Sequence, residues 1–227
     1  MCGRVTIPPS KEITSELNLK YDEDEMPALI NVPPTLKLPL ITNTKPDQLQ
    51  YFTWSVIPSY SKDGKPDFKY STFNATIEKL EESPLWKPLI GKRHCVVITS
   101  GFYEWQYEDP IKKKNSKPHL IKAKNSKFTY MAGLWTAWAN KETGELIPSC
   151  TVITIPANTK MAEIHNTKGR MPAFLTDETS KIWLDQELSY HERKKQALEP
   201  VPNEFLDAYP VLKIGDEEEY KKLIEIC

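Results

Sequence analysis

Proline constrains this chain more than any other residue type: there are 19 prolines and only 8 glycines among 227 residues. Each proline fixes φ, withholds an N–H from any helix interior or central strand, and pushes the residue before it into extended conformations. A chain interrupted this often favours short strands and ordered loops over long helices. The stretches between the prolines agree with that reading. Residues 36–41, 49–57, 93–99, 102–106, 119–124, 128–138 and 150–155 are rich in β-branched and aromatic residues with near period-two alternation. Helices are fewer: 11–19 capped by Ser10, 159–165 capped by Asn158, one starting near Asp177 with Ile182, Trp183 and Leu188 as its apolar stripe, and an amphipathic tail over 216–226. The expected architecture is a β-rich single domain over 1–227 with a few helices.

Charge and cysteine placement narrow the function classes. Thirty basic residues against 31 acidic ones give a net charge of -1. That balance argues against a whole-surface binder of duplex DNA and leaves room for a locally basic cleft. No apolar run approaches ~18 residues, and the N-terminus lacks the basic-then-apolar layout of a secretory signal, so no membrane partner and a cytoplasmic location are expected. Cys2, Cys95, Cys150 and Cys227 are far apart without C-x-x-C spacing, which suggests neither a metal site nor a disulfide framework. Cys95 and Cys150 read as core. The run Lys112-Lys113-Lys114-Asn115 reads as a solvated hairpin tip that could also touch phosphate.

Cys2 follows Met1 directly. Removal of Met1 would leave an α-amine of pKa ~8 and a thiol of pKa ~8.5 on one residue, both reachable near neutral pH. Such a 1,2-aminothiol condenses with an aldehyde to an imine, and its sulfur then closes a thiazolidine ring. A cysteine at position two, taken alone, is more often incidental. Three further constellations pair catalytic residue types with turn chemistry. Asn74 lies in Thr72-Phe73-Asn74-Ala75-Thr76-Ile77-Glu78, where a cap or Asx-turn is the ordinary role. Glu104 lies between aromatics in Gly101-Phe102-Tyr103-Glu104-Trp105 and either faces solvent or enters a cleft where burial raises its pKa. His165, beside a Gly-containing loop and Arg170, is a candidate proton shuttle.

Taken together, the order of Met1-Cys2-Gly3-Arg4, Asn31-Val32-Pro33-Pro34, Trp54-Ser55-Val56-Ile57-Pro58, Phe73-Asn74-Ala75, Gly101-Phe102-Tyr103-Glu104-Trp105, Ala132-Gly133-Leu134-Trp135, and Ile164-His165 with Arg170-Met171-Pro172 resembles the SRAP family, named for SOS-response-associated peptidases. The resemblance implies the family's α+β fold, with twisted, barrel-like sheets flanked by a few helices, and a sensor of abasic sites in single-stranded DNA, acting in the response to DNA damage without metal or small-molecule cofactor, as a monomer. Cys2 would trap the ring-opened sugar aldehyde as a covalent thiazolidine. Glu104 would move protons during imine formation, His165 would assist sugar opening and crosslink reversal, and Asn74 would hold the amine or sugar. Arg4 and Arg170 would take phosphates, Tyr60 would stack, and the loop bearing Asn31 and Pro33 would wedge between bases, while Trp54 reads as core.

Three departures from the family pattern stand out. Thr76 occupies a position where the family commonly has arginine, with Lys79 as a substitute cation. Four residues, Asn166 to Gly169, separate His165 from Arg170 where one is usual, and Tyr60 stands in for a tryptophan. Two other functions compete: a cysteine-type peptidase or amidohydrolase using the Cys2 thiol, with possible self-processing of the N-terminus, and a module that binds single-stranded or modified DNA without covalent capture.

Overall fold

The strands and helices follow the punctuation in the sequence closely. In the computed structural model, which describes residues 3–67, 69 and 71–224, the first half of the chain forms β1 (Val5–Ile7), α1 (Ser10–Leu17), β2 (Leu29–Val32), β3 (Lys37–Thr42), β4 (Lys45–Trp54), β5 (Asn74–Thr76) and β6 (His94–Thr99). The remainder forms β7 (Gly101–Asp109), β8 (Lys114–Ala123), β9 (Thr129–Ala139), β10 (Leu146–Pro156), α2 (Thr159–Ile164), β11 (Arg170–Pro172), β12 (Phe174–Leu175), α3 (Asp177–Leu184), α4 (Tyr190–Ala197), β13 (Leu206–Pro210) and α5 (Glu217–Ile224). Cys2, Cys227 and the last residues of the helix expected over 216–226 lie outside the described residues.

β10, β4, β3, β6 and β9 are neighbours in that order, and β9 pairs back onto β10, so these five strands close a barrel. A second, antiparallel sheet runs β13-β8-β7-β1-β2. The chain passes from one sheet to the other at Ser100, between β6 and β7. Leu38, Leu40, Trp54, Val97, Phe102, Met131, Val152 and Phe174 belong to one continuous buried core. The barrel can close tightly because Gly133 has no side chain: a Cβ there would lie 2.6 Å from the Thr151 carbonyl oxygen and 2.8 Å from Cys95 Sγ. Cys95 and Cys150 are buried and free, as expected of core thiols.

Beyond Val152 and Gly133 the ladder between β9 and β10 ends, and the segment carrying β11 and β12 fills the gap. Ala132 N–H donates to the Ala173 carbonyl at 2.8 Å, and Ala173 N–H donates to the Ile153 carbonyl at 2.9 Å. This insertion carries Arg170 to the edge of the barrel.

Several local expectations need correction. Ser10 is the first residue of α1 rather than its cap. Pro9 takes the cap position, and Ser10 Oγ instead accepts the Met26 N–H at 2.9 Å. The third helix starts at Asp177 as expected, capped by Thr176 through a reciprocal bond with Thr179, but it ends at Leu184 and leaves Leu188 outside. Asn31 and Val32 belong to strand β2, paired with β1, not to a loop. α4, capped by Ser189 and Glu192, and the short strands β1, β5 and β13 fell below what periodicity reveals. Asn158 does cap α2, accepting the Met161 N–H at 2.9 Å. Among the described residues no helix is long and apolar enough to cross a membrane, and no cluster of His, Cys, Asp or Glu is placed to hold a metal.

Candidate functional site

Alternation along β7 decides where Glu104 points. Phe102 sits in the main core, whereas Tyr103 and Trp105 pack in a separate cluster on the opposite face, so Glu104 shares the inward side with Phe102. It is buried, and its Oε1 accepts the N–H of Trp105 at 3.2 Å. α2 ends above it. His165 is the C-terminal cap of that helix, its N–H bonded to the Met161 carbonyl at 2.7 Å, and its ring descends to within 4.0 Å of Glu104, from Nδ1 to Oε2.

Nδ1 of His165 lies 2.8 Å from the Arg170 carbonyl oxygen and 3.3 Å from the Arg170 nitrogen. The shorter contact is to an acceptor, which favours the tautomer with the proton on Nδ1 and leaves Nε2 as a basic lone pair. Burial pushes the His165 pKa down, with the Glu104 charge opposing that shift. The imidazole is therefore mainly neutral at pH 7, able to accept a proton rather than fixed as a cation. Both residues line a cleft of about 250 Å³ together with Tyr107, Thr167, Lys113 and Lys168.

Arg170 leads away from the cleft floor along β11. Its Nη1 donates to Glu78 Oε1 at 2.6 Å and its Nη2 to the Thr154 carbonyl at 2.5 Å. That hydrogen bond holds the Glu78 carboxyl below its ordinary pKa range. Asn74 is buried on β5, parallel to β10 and opposite Val152, while Thr76 lies opposite Thr154. Asn74 and Arg170 are thus both fixed by one strand. At the start of the second sheet, the Arg4 carbonyl accepts the Tyr103 N–H at 2.8 Å. The described chain therefore begins alongside β7, next to the residue that precedes Glu104.

Residues 1–214 match the family model described as SOS response associated peptidase (SRAP). The chain belongs to the SRAP family. It is similar to the Bacillus subtilis protein named Abasic site processing protein YoqW, at 35% identity over 216 residues covering 93% of this chain and 92% of the relative. It is also similar to the Xenopus tropicalis protein named Abasic site processing protein HMCES, at 30% identity over 189 residues, 72% of this chain and 56% of that one. A crystal structure of a Bacteroides thetaiotaomicron protein superposes with a TM-score of 0.79 at 26% identity, covering 95% of this chain and 97% of the other. The α+β, barrel-containing SRAP architecture is that of the described residues.

Within this SRAP chain the sequence-derived site residues divide into two groups. Glu104 and His165 meet in the cleft, while Asn74 and Arg170 are fixed on strands paired with β10 and Arg4 lies just before β1, its carbonyl bonded to β7. Tyr60 lies elsewhere, 67% exposed, with its hydroxyl 3.3 Å from Asp67 Oδ2 in a separate recess with Lys62 and Trp138. Asn31 is exposed on β2 and Pro33 follows it, half-buried. Trp54 is core, its Nε1 donating to the Phe73 carbonyl at 2.9 Å. Lys79 is exposed and is not among the cleft-lining residues. Sequence reasoning missed Glu78 as the partner of Arg170, because nothing local relates residues so far apart in the chain. It noted Lys113 and the 166–169 segment but gave neither a place in the site.

Proposed function

We propose that this protein captures abasic sites in single-stranded DNA through Cys2 once Met1 is removed. The sugar of an abasic site opens to an aldehyde. The Cys2 amine adds to it, the carbinolamine loses water to give an imine, and the thiol adds across the C=N bond to close a thiazolidine, with one water released overall. Dehydration needs an acid while the amine must be partly unprotonated. Glu104 supplies the acid and His165, neutral with an available Nε2, accepts and returns the proton. Asn74 holds the sugar or amine, and Arg4 and Arg170 take phosphates of the strand, Arg170 on release from Glu78. The observation that supports this reading best is the buried Glu104–His165 pair at 4.0 Å, with the chain at Arg4, two residues after Cys2 in the sequence, bonded to the residue before Glu104, together with relatives that bear the name abasic site processing protein.

The test is incubation of the Met1-trimmed protein with an abasic single-stranded oligonucleotide, read by intact mass and denaturing electrophoresis. Wild type gives a denaturant-resistant adduct lighter by one water than the sum of its parts, and Cys2→Ser and Cys2→Ala give none. Equal adduct from either variant would refute the proposal. A peptidase dependent on the thiol alone would lose peptide hydrolysis in those variants and show no preference for abasic DNA.

A further inference from the structure

The cleft around Glu104 and His165 has two cationic side chains that neither the family pattern nor the roles above use. We propose that Lys113 and Lys168 form a phosphate-binding rim across the mouth of this cleft, and that the segment 166–169 holds Lys168 in that position. The proposal rests on the reading of the cleft as a site for single-stranded DNA.

The lysines reach the rim from two different loops. Lys113 stands in the turn between β7 and β8 with φ of 51°, in a tip tied down by Lys112 N–H to Asp109 Oδ1 at 2.9 Å and Asn115 Nδ2 to Glu108 Oε2 at 3.0 Å. Lys168 stands in the loop between α2 and β11. Asn166 pins that loop to β7 by a two-point contact: its Oδ1 accepts the Tyr107 N–H at 3.1 Å and its Nδ2 donates to the Tyr107 carbonyl at 2.7 Å. The loop then curls back, with Gly169 N–H donating to the His165 carbonyl at 2.9 Å and φ at Gly169 of +55°. A side chain at Gly169 would meet nothing within 4 Å, so the turn requires glycine for its backbone angle and not for space.

Charge supports the same assignment. Lys117 on the same hairpin is paired with Glu108 at 3.2 Å, whereas no carboxylate pairs with Lys113 or Lys168 among the described residues. Both lysines are exposed and face a cleft whose lining includes one carboxylate, Glu104. Arg170 is held by Glu78 and position 76 is threonine, which leaves phosphate contacts for cations other than these two positions. Two ammonium groups lining one cleft suit the phosphodiesters that flank a sugar lodged there. As point charges they hold the backbone without reading sequence.

Binding of an intact single-stranded oligonucleotide, without a lesion, measured by fluorescence anisotropy over a range of salt concentrations, separates this proposal from the one beneath it. Each phosphate contact on a single strand contributes about 0.7 to the slope of log K against log salt. Lys113→Ala and Lys168→Ala should each lower the slope by about that amount, and the double variant by about 1.4. With abasic oligonucleotide, the double variant should require a several-fold higher DNA concentration for half-maximal crosslinking yet reach the wild-type maximal rate. Wild-type binding with unchanged slopes in the variants overturns the rim and leaves the crosslinking function standing. A wild type that binds no single strand overturns both. An equal loss of slope in Lys117→Ala, which points at a general charge effect of the hairpin, also overturns the rim.

Discussion

Arg170 and Glu78 form a tight ion pair, 2.6 Å from Nη1 to Oε1, with the arginine side chain largely buried and the glutamate about half exposed. The arginine expected to take a DNA phosphate is thus occupied by a carboxylate of its own chain, and a phosphate would compete with Glu78 for it. Partial exposure of Glu78 keeps the stabilising value of the pair small, about 1 kcal/mol or less.

Neutralising that carboxylate should release the guanidinium. Glu78→Gln is expected to bind single-stranded DNA several-fold more tightly at low salt, with a slope steeper by about 0.7 and a melting temperature close to wild type. Anisotropy titrations at several salt concentrations check it, and unchanged affinity would show that Arg170 never meets phosphate.

Glu104→Gln keeps the shape of the side chain and removes its capacity to give or take a proton. Crosslinking should slow by roughly 10²–10³-fold, within the range typical of lost general acid–base assistance, while circular dichroism and unfolding stay near wild type. Single-turnover rates between pH 6 and 8 are the measurement. His165→Ala should slow formation or release of the adduct, and identical time courses in both directions would remove His165 from the chemistry.

His94 predicts an acid-sensitive fold. Its ring is buried against Trp183 at 4.1 Å, accepts the Gly91 N–H at Nε2, and has its pKa lowered from 6.5 to about 3, chiefly by burial and next by the Arg193 charge. Between those two pH values the unfolded chain binds a proton that the folded chain refuses, so stability rises with pH. The contribution is complete above about pH 7 and declines below 6.5, by about 2 kcal/mol on reaching pH 5. Burial acts in the same direction on His165 and His119. Urea midpoints at pH 7.5 and 5 test this, and equal midpoints would contradict it.

Two glycines should respond differently to alanine. Gly133→Ala places a methyl 2.6 Å from a backbone oxygen inside the closed barrel, and a loss of about 3 kcal/mol or failure to fold is expected. Gly169→Ala meets open space and loses about 1 kcal/mol from its left-handed backbone alone. Chemical denaturation of both variants provides the comparison.

Much of this molecule was legible before its coordinates. All seven strand segments expected from alternation correspond to strands in the fold, because period-two burial is written locally in residues such as 128–138. Asn158 as a cap and Cys95 and Cys150 as core were legible for the same local reason. The shortfalls came where tertiary contacts overrode local signals. Ser10 turned to Met26 instead of its own helix, and β1 and β5, three residues each, are strands because longer partners supply their hydrogen bonds.

The sequence by itself determined the β-rich class, the family pattern, and the residue types able to perform aldehyde chemistry, since each depends on composition, order and short-range periodicity. Tertiary structure alone decided that β9 turns back onto β10 to close a barrel, that His165 meets Glu104, that Arg170 is held by Glu78, and that Lys113 and Lys168 line one cleft. These are contacts between residues distant in the chain, fixed by strand register and packing, and no local pattern encodes them.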